Sequence, residues 1–337
     1  MKTAILRSLL APHSVAHFIL HVTKRCPLRC KTCFVDKDTV AGEELSLEEI
    51  RDIARKFNKL LWLDISGGEP FLREDLPDIC ALFKAGSIGI PTNAFDPELI
   101  ADMARQIRNK VSAEINISVS IDGFEAVNDD VRGKGCFERS LKTVALLKLI
   151  KGIRVKVNTV LCNLTYPDII KFMAFIKTLG VDFHSIIFRR GNQPVNEAYD
   201  CPCYNDLNMI KKDIFRMWSG YDYGFDHFQR MLLRNYQRAL YNFSLRVIKE
   251  GRQSPACLAG RRHLVVYANG DVSFCEMLPS FGNLRARPLS ELLCSHEAES
   301  VRKSIIRREC SCYHNCNMLD NFFLNITQYP KLFIPIR

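Results

Sequence analysis

Apolar and polar positions follow a regular order along the first 190 residues, short apolar runs alternating with longer amphipathic segments. Residues 16–22 form an apolar run that suits a buried strand, and 60–65, 88–91, 115–121, 154–161 and 183–188 read the same way. Between them the helical period predicts helices over 46–58, 76–84, 97–108, 137–150 and 168–179. Ser46 with Glu49 three residues on is a capping box, and Asp96 suits an N-cap. Gly152 and Gly180 stand just past two helix ends. Six β-then-α units in series imply an α/β fold with a parallel sheet and right-handed crossovers. An open doubly wound sheet and a partial (β/α)6 TIM-type barrel both satisfy the pattern.

Past Arg190 the character changes. Residues 191–200 are a polar loop, and 207–250 are helical and rich in aromatics, including Phe215, Trp218, Tyr221 and Phe228. At helical spacing such residues are core. Further on, Asn269-Gly270 marks a tight hairpin turn, with 263–267 and 272–274 as its strands. The expected organisation is a leader over 1–15, a core over 16–190, a connecting insert over 191–254 and an extension over 255–337.

The 337 residues are 47% hydrophobic and 25% charged, as in an ordinary globular protein. No apolar run is long enough for a transmembrane helix, and Pro12 and His13 interrupt the short apolar start, which does not read as a secretory signal. A cytoplasmic protein is expected. In a reducing compartment, fourteen cysteines point to metal binding instead of disulfides.

Three of them, Cys26, Cys30 and Cys33, form C-x3-C-x2-C directly after the first strand. A [4Fe–4S] cluster normally takes four cysteines, so three local ligands leave one iron free for a substrate or cofactor. Zinc prefers four ligands and paired knuckles, which this spacing does not match. The second strand runs into Ser66-Gly67-Gly68-Glu69-Pro70. Together the two motifs resemble the radical S-adenosylmethionine (radical SAM) superfamily, which uses the partial barrel. The resemblance implies a SAM-binding [4Fe–4S] cluster on the three cysteines, Phe34 near the adenine, and Gly67, Gly68 and Glu69 around the SAM amino group. It implies Ser120 and Arg132 at the SAM carboxylate and Asp122 as a ribose contact. Asn93, in a Thr92-Asn93-Ala94 that stands where many members have Thr-Asn-Gly, is a further cofactor contact. Strand alternation turns Asn158 into the barrel if Val155 and Val157 point out. Cys162, just past the fifth strand, is a candidate hydrogen-atom donor, as are Cys201 and Cys203 if their loop covers the barrel mouth.

Cys257 and Cys275 bracket Gly270 as C-x12-G-x4-C, and Cys310, Cys312 and Cys316 follow. This resembles the SPASM or shorter twitch extension and implies one auxiliary [4Fe–4S] cluster, with Cys310 and Cys312 alternatives for the fourth ligand. A zinc ribbon is the alternative for this segment by itself. The expected activity is reductive SAM cleavage and hydrogen abstraction from a peptide or a sugar- or aminocyclitol-like small molecule. A non-catalytic iron–sulfur or zinc protein is the alternative. The net charge of +10 is dispersed; it suits an acidic electron donor such as a flavodoxin or ferredoxin, not nucleic acid.

Overall fold

The strand His17–Thr23 (β1) is buried along its whole length because it is paired on both edges. On one side lies Leu60–Gly67 (β2); on the other lies His263–Val266 (β7), from the far end of the chain, and both run parallel to it. The structure, a computed structural model, describes residues 14–35, 43–189, 196–221, 225–251, 253, 257–310, 312–313 and 315–334, with backbone alone at 315–317. Most of the expected leader lies outside them. Among the described residues one sheet has the order β6-β5-β4-β3-β2-β1-β7-β8-β9. Its other strands are Ala85–Thr92 (β3), Glu114–Ser120 (β4), Ile153–Leu161 (β5), Phe183–Phe188 (β6), Asp271–Ser273 (β8) and Gly282–Asn283 (β9).

The crossovers carry Leu47–Ala54 (α1), Leu76–Leu82 (α2), Pro97–Lys110 (α3), Glu125–Arg132 (α4), Cys136–Lys148 (α5) and Ile169–Thr178 (α6). Helices α1, α2, α3 and α5 pack side by side in chain order on the outer face. A doubly wound sheet would divide them between two faces, so this is the open (β/α)6 barrel. Ile88, Ile90, Ile115, Ile117, Val155 and Val157 turn outward into the helix layer and are fully buried. The alternate positions turn inward, as strand geometry requires.

Three elements differ from the pattern's bounds. Helix α1 keeps its capping box but ends at Ala54, four residues early, where Lys56 turns back to the Ile53 carbonyl. Strand β3 starts at Ala85, three residues early, because Gly86, Ser87 and Gly89 supply no apolar alternation to read. Helix α4 falls where no helix is expected; it is short, acidic, and buries only Asn128, Val131 and Arg132.

The aromatic insert is two helices, Tyr204–Ser219 (α7) and His227–Glu250 (α8). Phe215, Trp218, Tyr221 and Tyr241 are buried, as core aromatics should be, whereas Phe228 in the first turn of α8 is exposed. Trp218 Nε1 and Gln237 Nε2 both donate to the His184 carbonyl, at 3.2 and 3.1 Å, which fastens the pair to β6 at the barrel's open edge. After the β7–β8 hairpin, whose Gly270 takes φ +89°, come Leu289–Leu293 (α9), His296–Arg307 (α10), Asn315–Phe323 (α11) and Tyr329–Phe333 (α12).

A buried polar clamp joins the two ends of the chain. Asp320 on α11 lies 3.2 Å from His17 Nδ1 and 3.1 Å from His263 Nδ1, while His17 Nε2 meets Asp64 at 3.0 Å. Burial opposes a charge on His17, but the Asp320 and Asp64 carboxylates outweigh it and raise its pKa to about 10. Burial and the charged His17 keep His263 below the ordinary histidine value. The clamp thus reads as an imidazolium between two carboxylates, with a neutral second imidazole.

Candidate active site at the strand ends

The cysteine loop leaves β1 and lies over the C-terminal ends of β1 and β2. Gly67 and Gly68 make this possible. A Cβ on Gly67, at φ +137°, would lie 2.3 Å from the Thr23 carbonyl oxygen, and one on Gly68 2.2 Å from that of Arg25. The glycine pair therefore admits the cysteine loop itself, a packing role that the motif alone does not disclose. Gly68 N donates to Thr23 O and Glu69 N to Arg25 O, at 2.9 and 2.8 Å. From the other side, Lys31 N donates to Val131 O at 2.9 Å.

Glu69 is almost fully buried. Its carboxylate accepts from Phe71 N at 3.2 Å and Asn93 N at 2.7 Å. Burial still dominates and pushes its pKa up to about 7. Asn93 Nδ2 points at Cys26 Sγ, 3.4 Å away. Arg132 lies 3.9 Å from Cys30 Sγ and is ion-paired at 2.8 Å with Asp122. Burial pushes the Cys30 thiol up to about 11, against the pull of Arg132. Phe34, Gly67, Gly68, Glu69, Asn93, Ser120, Arg132 and Asn158 all line one cavity of about 880 Å³ with the three cysteines.

Four expected site residues fall elsewhere. Asp122 lies past the end of β4, fully buried, with its carboxylate on Val160 N and Arg132. It is the arginine's counter-ion and does not line the cavity where a ribose contact is expected. Cys162 is fully buried and is not a lining residue; its amide is turned to Thr165. Cys201 and Cys203 do not line the cavity either, and the Cys203 thiol faces Asp206. A hydrogen-atom donor must reach the substrate, and none of these three thiols lines the cavity.

The cavity runs down the inside of the barrel. Strand residues Asp64, Ser118, Lys156, Asn158 and Ser185 make a polar wall, and Leu233, Tyr236 and Leu240 of α8 with Phe323 of α11 make an apolar one. Lys156 and Asp64 are the lining residues that motif reading misses. The parity that turns Asn158 inward turns Lys156 inward too, which is the signal that could have found it.

A second cysteine group lies beyond β7. Cys275 and Cys312 are buried, and Cys257 and Cys310 are partly buried. Burial pushes the Cys257 thiol up to about 12, and nearby Cys312 and Cys310 push it the same way. Cys275 is raised by burial and then by Cys312 and Cys257. The Cys316 side chain lies outside the described residues, though its backbone belongs to α11.

Comparison with known proteins decides the family. Residues 20–176 match the radical SAM superfamily model, and residues 257–317 match the SPASM iron–sulfur cluster-binding domain. The chain is a radical SAM enzyme with a SPASM domain. Among curated relatives it is 25% identical to the Fe-coproporphyrin III synthase of Methanosarcina barkeri, over 90% of this chain and 80% of that one. Other curated relatives are matched over less than two thirds of their length, for instance 57% of the subtilosin biosynthesis protein AlbA of Bacillus subtilis at 24% identity. Among solved structures it resembles anSMEcpe with bound AdoMet and Cp18Cys peptide, with TM-score 0.63, 16% identity, and coverage of 94% and 95% of the two chains. That likeness shows the shared fold.

The cofactors of this radical SAM SPASM enzyme are a SAM-binding [4Fe–4S] cluster, SAM and auxiliary iron–sulfur chemistry. The residues at the strand ends fit them. Three thiols face the cavity beside two side-chain donors, Asn93 and Arg132, and the buried Glu69 carboxylate lies next to them, held by the backbone amides of Phe71 and Asn93. Such donors favour ionised sulfur over the thiol. Among the described residues no helix is long and apolar enough to cross a membrane.

Proposed function

We propose that Cys26, Cys30 and Cys33 hold the SAM-binding cluster and that Glu69 and Arg132 take the ammonium and carboxylate of SAM. The convergence of the three thiols, Asn93, Arg132 and Glu69 on one cavity carries this reading. The bound group supplies one-electron reduction of SAM and, from it, a 5′-deoxyadenosyl radical able to take hydrogen from a C–H bond. The chain's own part is placement. Asn93 and Arg132 steady the sulfur charge, Ser120 and Asn158 offer hydrogen bonds at the rim, and Phe34 offers a ring to the adenine. Helices α8 and α11 close the open side of the barrel and keep water from the radical.

The second cysteine group is proposed as one auxiliary cluster. Burial of Cys312, and its closeness to both Cys257 and Cys275, support it over Cys310 as a ligand beside them. Cys316 completes the set on sequence spacing. Among the described residues no thiol besides Cys26, Cys30 and Cys33 lines the cavity, and a cluster held by the second cysteine group would supply an acceptor for the electron left after hydrogen abstraction, so that the substrate would be oxidised. An acidic flavodoxin or ferredoxin is the proposed reductant, approaching the basic cysteine loop through Arg25, whose side chain is 60% exposed.

A small molecule taken inside the barrel is the favoured substrate. The walled cavity supports it, as does the near full-length match to a synthase of Fe-coproporphyrin III. A peptide is the second reading, favoured by the peptide bound in anSMEcpe. The test is anaerobic reconstitution, reduction with dithionite and assay of 5′-deoxyadenosine. Its formation is expected from wild type. Its absence from protein with a loaded first cluster would refute the proposal.

A further inference from the structure

Strands β4, β5 and β6 present four polar side chains to the cavity in one patch. Ser118 stands opposite Lys156, and Asn158 opposite Ser185. Among the described residues none of these four makes a side-chain hydrogen bond or ion pair. Neighbouring polar side chains of the same wall are partnered: Asn116 donates to Ser87 at 2.8 Å, Arg154 pairs with Glu114 at 3.2 Å, and Asp64 accepts from His17. All four are half-buried in the cavity wall, where polar groups are normally partnered. The Lys156 ammonium stands 5.7 Å from the Phe183 ring centroid but forms no ion pair among the described residues, which is costly for a charge drawn out of water. Burial draws Lys156 below the ordinary lysine value, while the more distant carboxylates of Asp64, Glu114 and Asp182 act the other way.

We propose that this patch is a substrate subsite that binds a carboxylate, with Lys156 as its counter-ion and Ser118, Asn158 and Ser185 as hydrogen-bond partners. It rests on the reading of the strand ends as the SAM site. One ammonium among neutral partners matches a monoanion. A phosphate dianion would call for a second free cation, and Asp64 nearby would repel it. Lys156 lies two residues deeper than Asn158, roughly 6–7 Å along the strand. Asn158 in turn pairs with Ser120 at the end of β4. A substrate therefore enters carboxylate first and leaves the carbon to be attacked near the rim. Leu233, Tyr236 and Leu240 opposite require an apolar body.

The test is calorimetric binding to the reconstituted full chain with SAM present, which reads no turnover and so fails or succeeds apart from the cleavage assay. Two probe pairs separate the sources of the carboxylate: 4-phenylbutyrate against 4-phenylbutyramide, and the peptide Leu-Phe-Leu against its C-terminal amide. At least one acid should bind about tenfold or more tighter than its amide. Lys156→Met should erase that preference while keeping amide binding and the melting temperature, and Lys156→Arg should retain it. A preference confined to the first pair names a small acid, and one confined to the second names a peptide terminus. Equal binding of acids and amides, a preference that survives in Lys156→Met, or no binding of any probe at millimolar concentration would overturn the subsite.

Discussion

The two cysteine groups differ in what surrounds the sulfur. Cys26, Cys30 and Cys33 sit partly exposed on a loop at the mouth of a cavity, with Asn93 and Arg132 aimed at two of them. Cys275 and Cys312 are buried, and after burial itself the neighbour that most raises the Cys275 thiol is another cysteine, Cys312. An open site with outside donors suits a cluster that must expose an iron to SAM. A closed site suits a cluster that passes electrons or braces the fold. The first is held by backbone fit at Gly67 and Gly68; the second depends on the docking of α11 and β7 onto β1. Each dependence can be attacked separately.

The largest expected effect is on the second region. Asp320→Asn leaves His17 and His263 without their shared carboxylate and should destabilise the fold by about 3–5 kcal/mol in thermal or denaturant unfolding. The clamp also sets a pH dependence. His17 titrates near 10 in the fold against 6.5 in the unfolded chain. Its contribution is thus fully present below about pH 6.5 and is lost as pH rises towards 10. In His17→Gln that alkaline loss should disappear.

Gly67→Ala strikes the first region. The added Cβ meets the Thr23 carbonyl and the backbone is left-handed, so a loss of about 2–3 kcal/mol is expected. The auxiliary cluster, assayed by iron content at a temperature where the protein stays folded, should survive while SAM-dependent signals fall.

Glu69→Gln sharpens the contrast further, because it should spare folding and act on the ligand. Loss of a charge-assisted hydrogen bond weakens SAM binding by about 1.5–3 kcal/mol in equilibrium titration. With a pKa near 7 in the empty fold, Glu69 is protonated below neutrality, so SAM affinity should fall as pH drops through 7. Without SAM the same group adds stability below about pH 4.5, lost as pH rises through 7.

The smallest effect concerns Ala94, which adopts φ +62° at a fully buried position. Glycine would relieve roughly 1–2 kcal/mol of left-handed strain. It would also lose a buried methyl worth about 0.8 kcal/mol and gain unfolded-state entropy. Ala94→Gly should therefore shift stability by less than about 1 kcal/mol, checked by melting temperature. This is how the chain carries an alanine at a glycine-favouring turn.

The outward faces of the six barrel strands were legible because Ile and Val alternate along them. Strand β3 was cut short where Gly86, Ser87 and Gly89 carry no apolar side chain to alternate, and α4 went unseen because it lacks an apolar stripe. The pairing of β7 with β1 could not be read at all. Choice of sheet partner is a tertiary event, and the His17–Asp320 contact that secures it spans 303 positions. At the site, the cysteines, Glu69, Asn93 and Arg132 carry local motifs and were readable. Asp122, expected at the ribose from the family resemblance, lies two residues past the end of β4, where strand alternation no longer sets which way a side chain turns. Lys156 belongs to no motif; only parity with Asn158 marks it.

The central claim is that SAM is bound and cleaved at the first cysteine group alone. It is tested by comparing two reconstituted triple variants, Cys26/Cys30/Cys33→Ala and Cys257/Cys275/Cys312→Ala, for iron, bound SAM and 5′-deoxyadenosine. The first should retain the auxiliary iron yet bind SAM weakly and form no deoxyadenosine, while the second should lose auxiliary iron and still cleave SAM. Deoxyadenosine from the first variant, or full iron retention in it, would contradict the account.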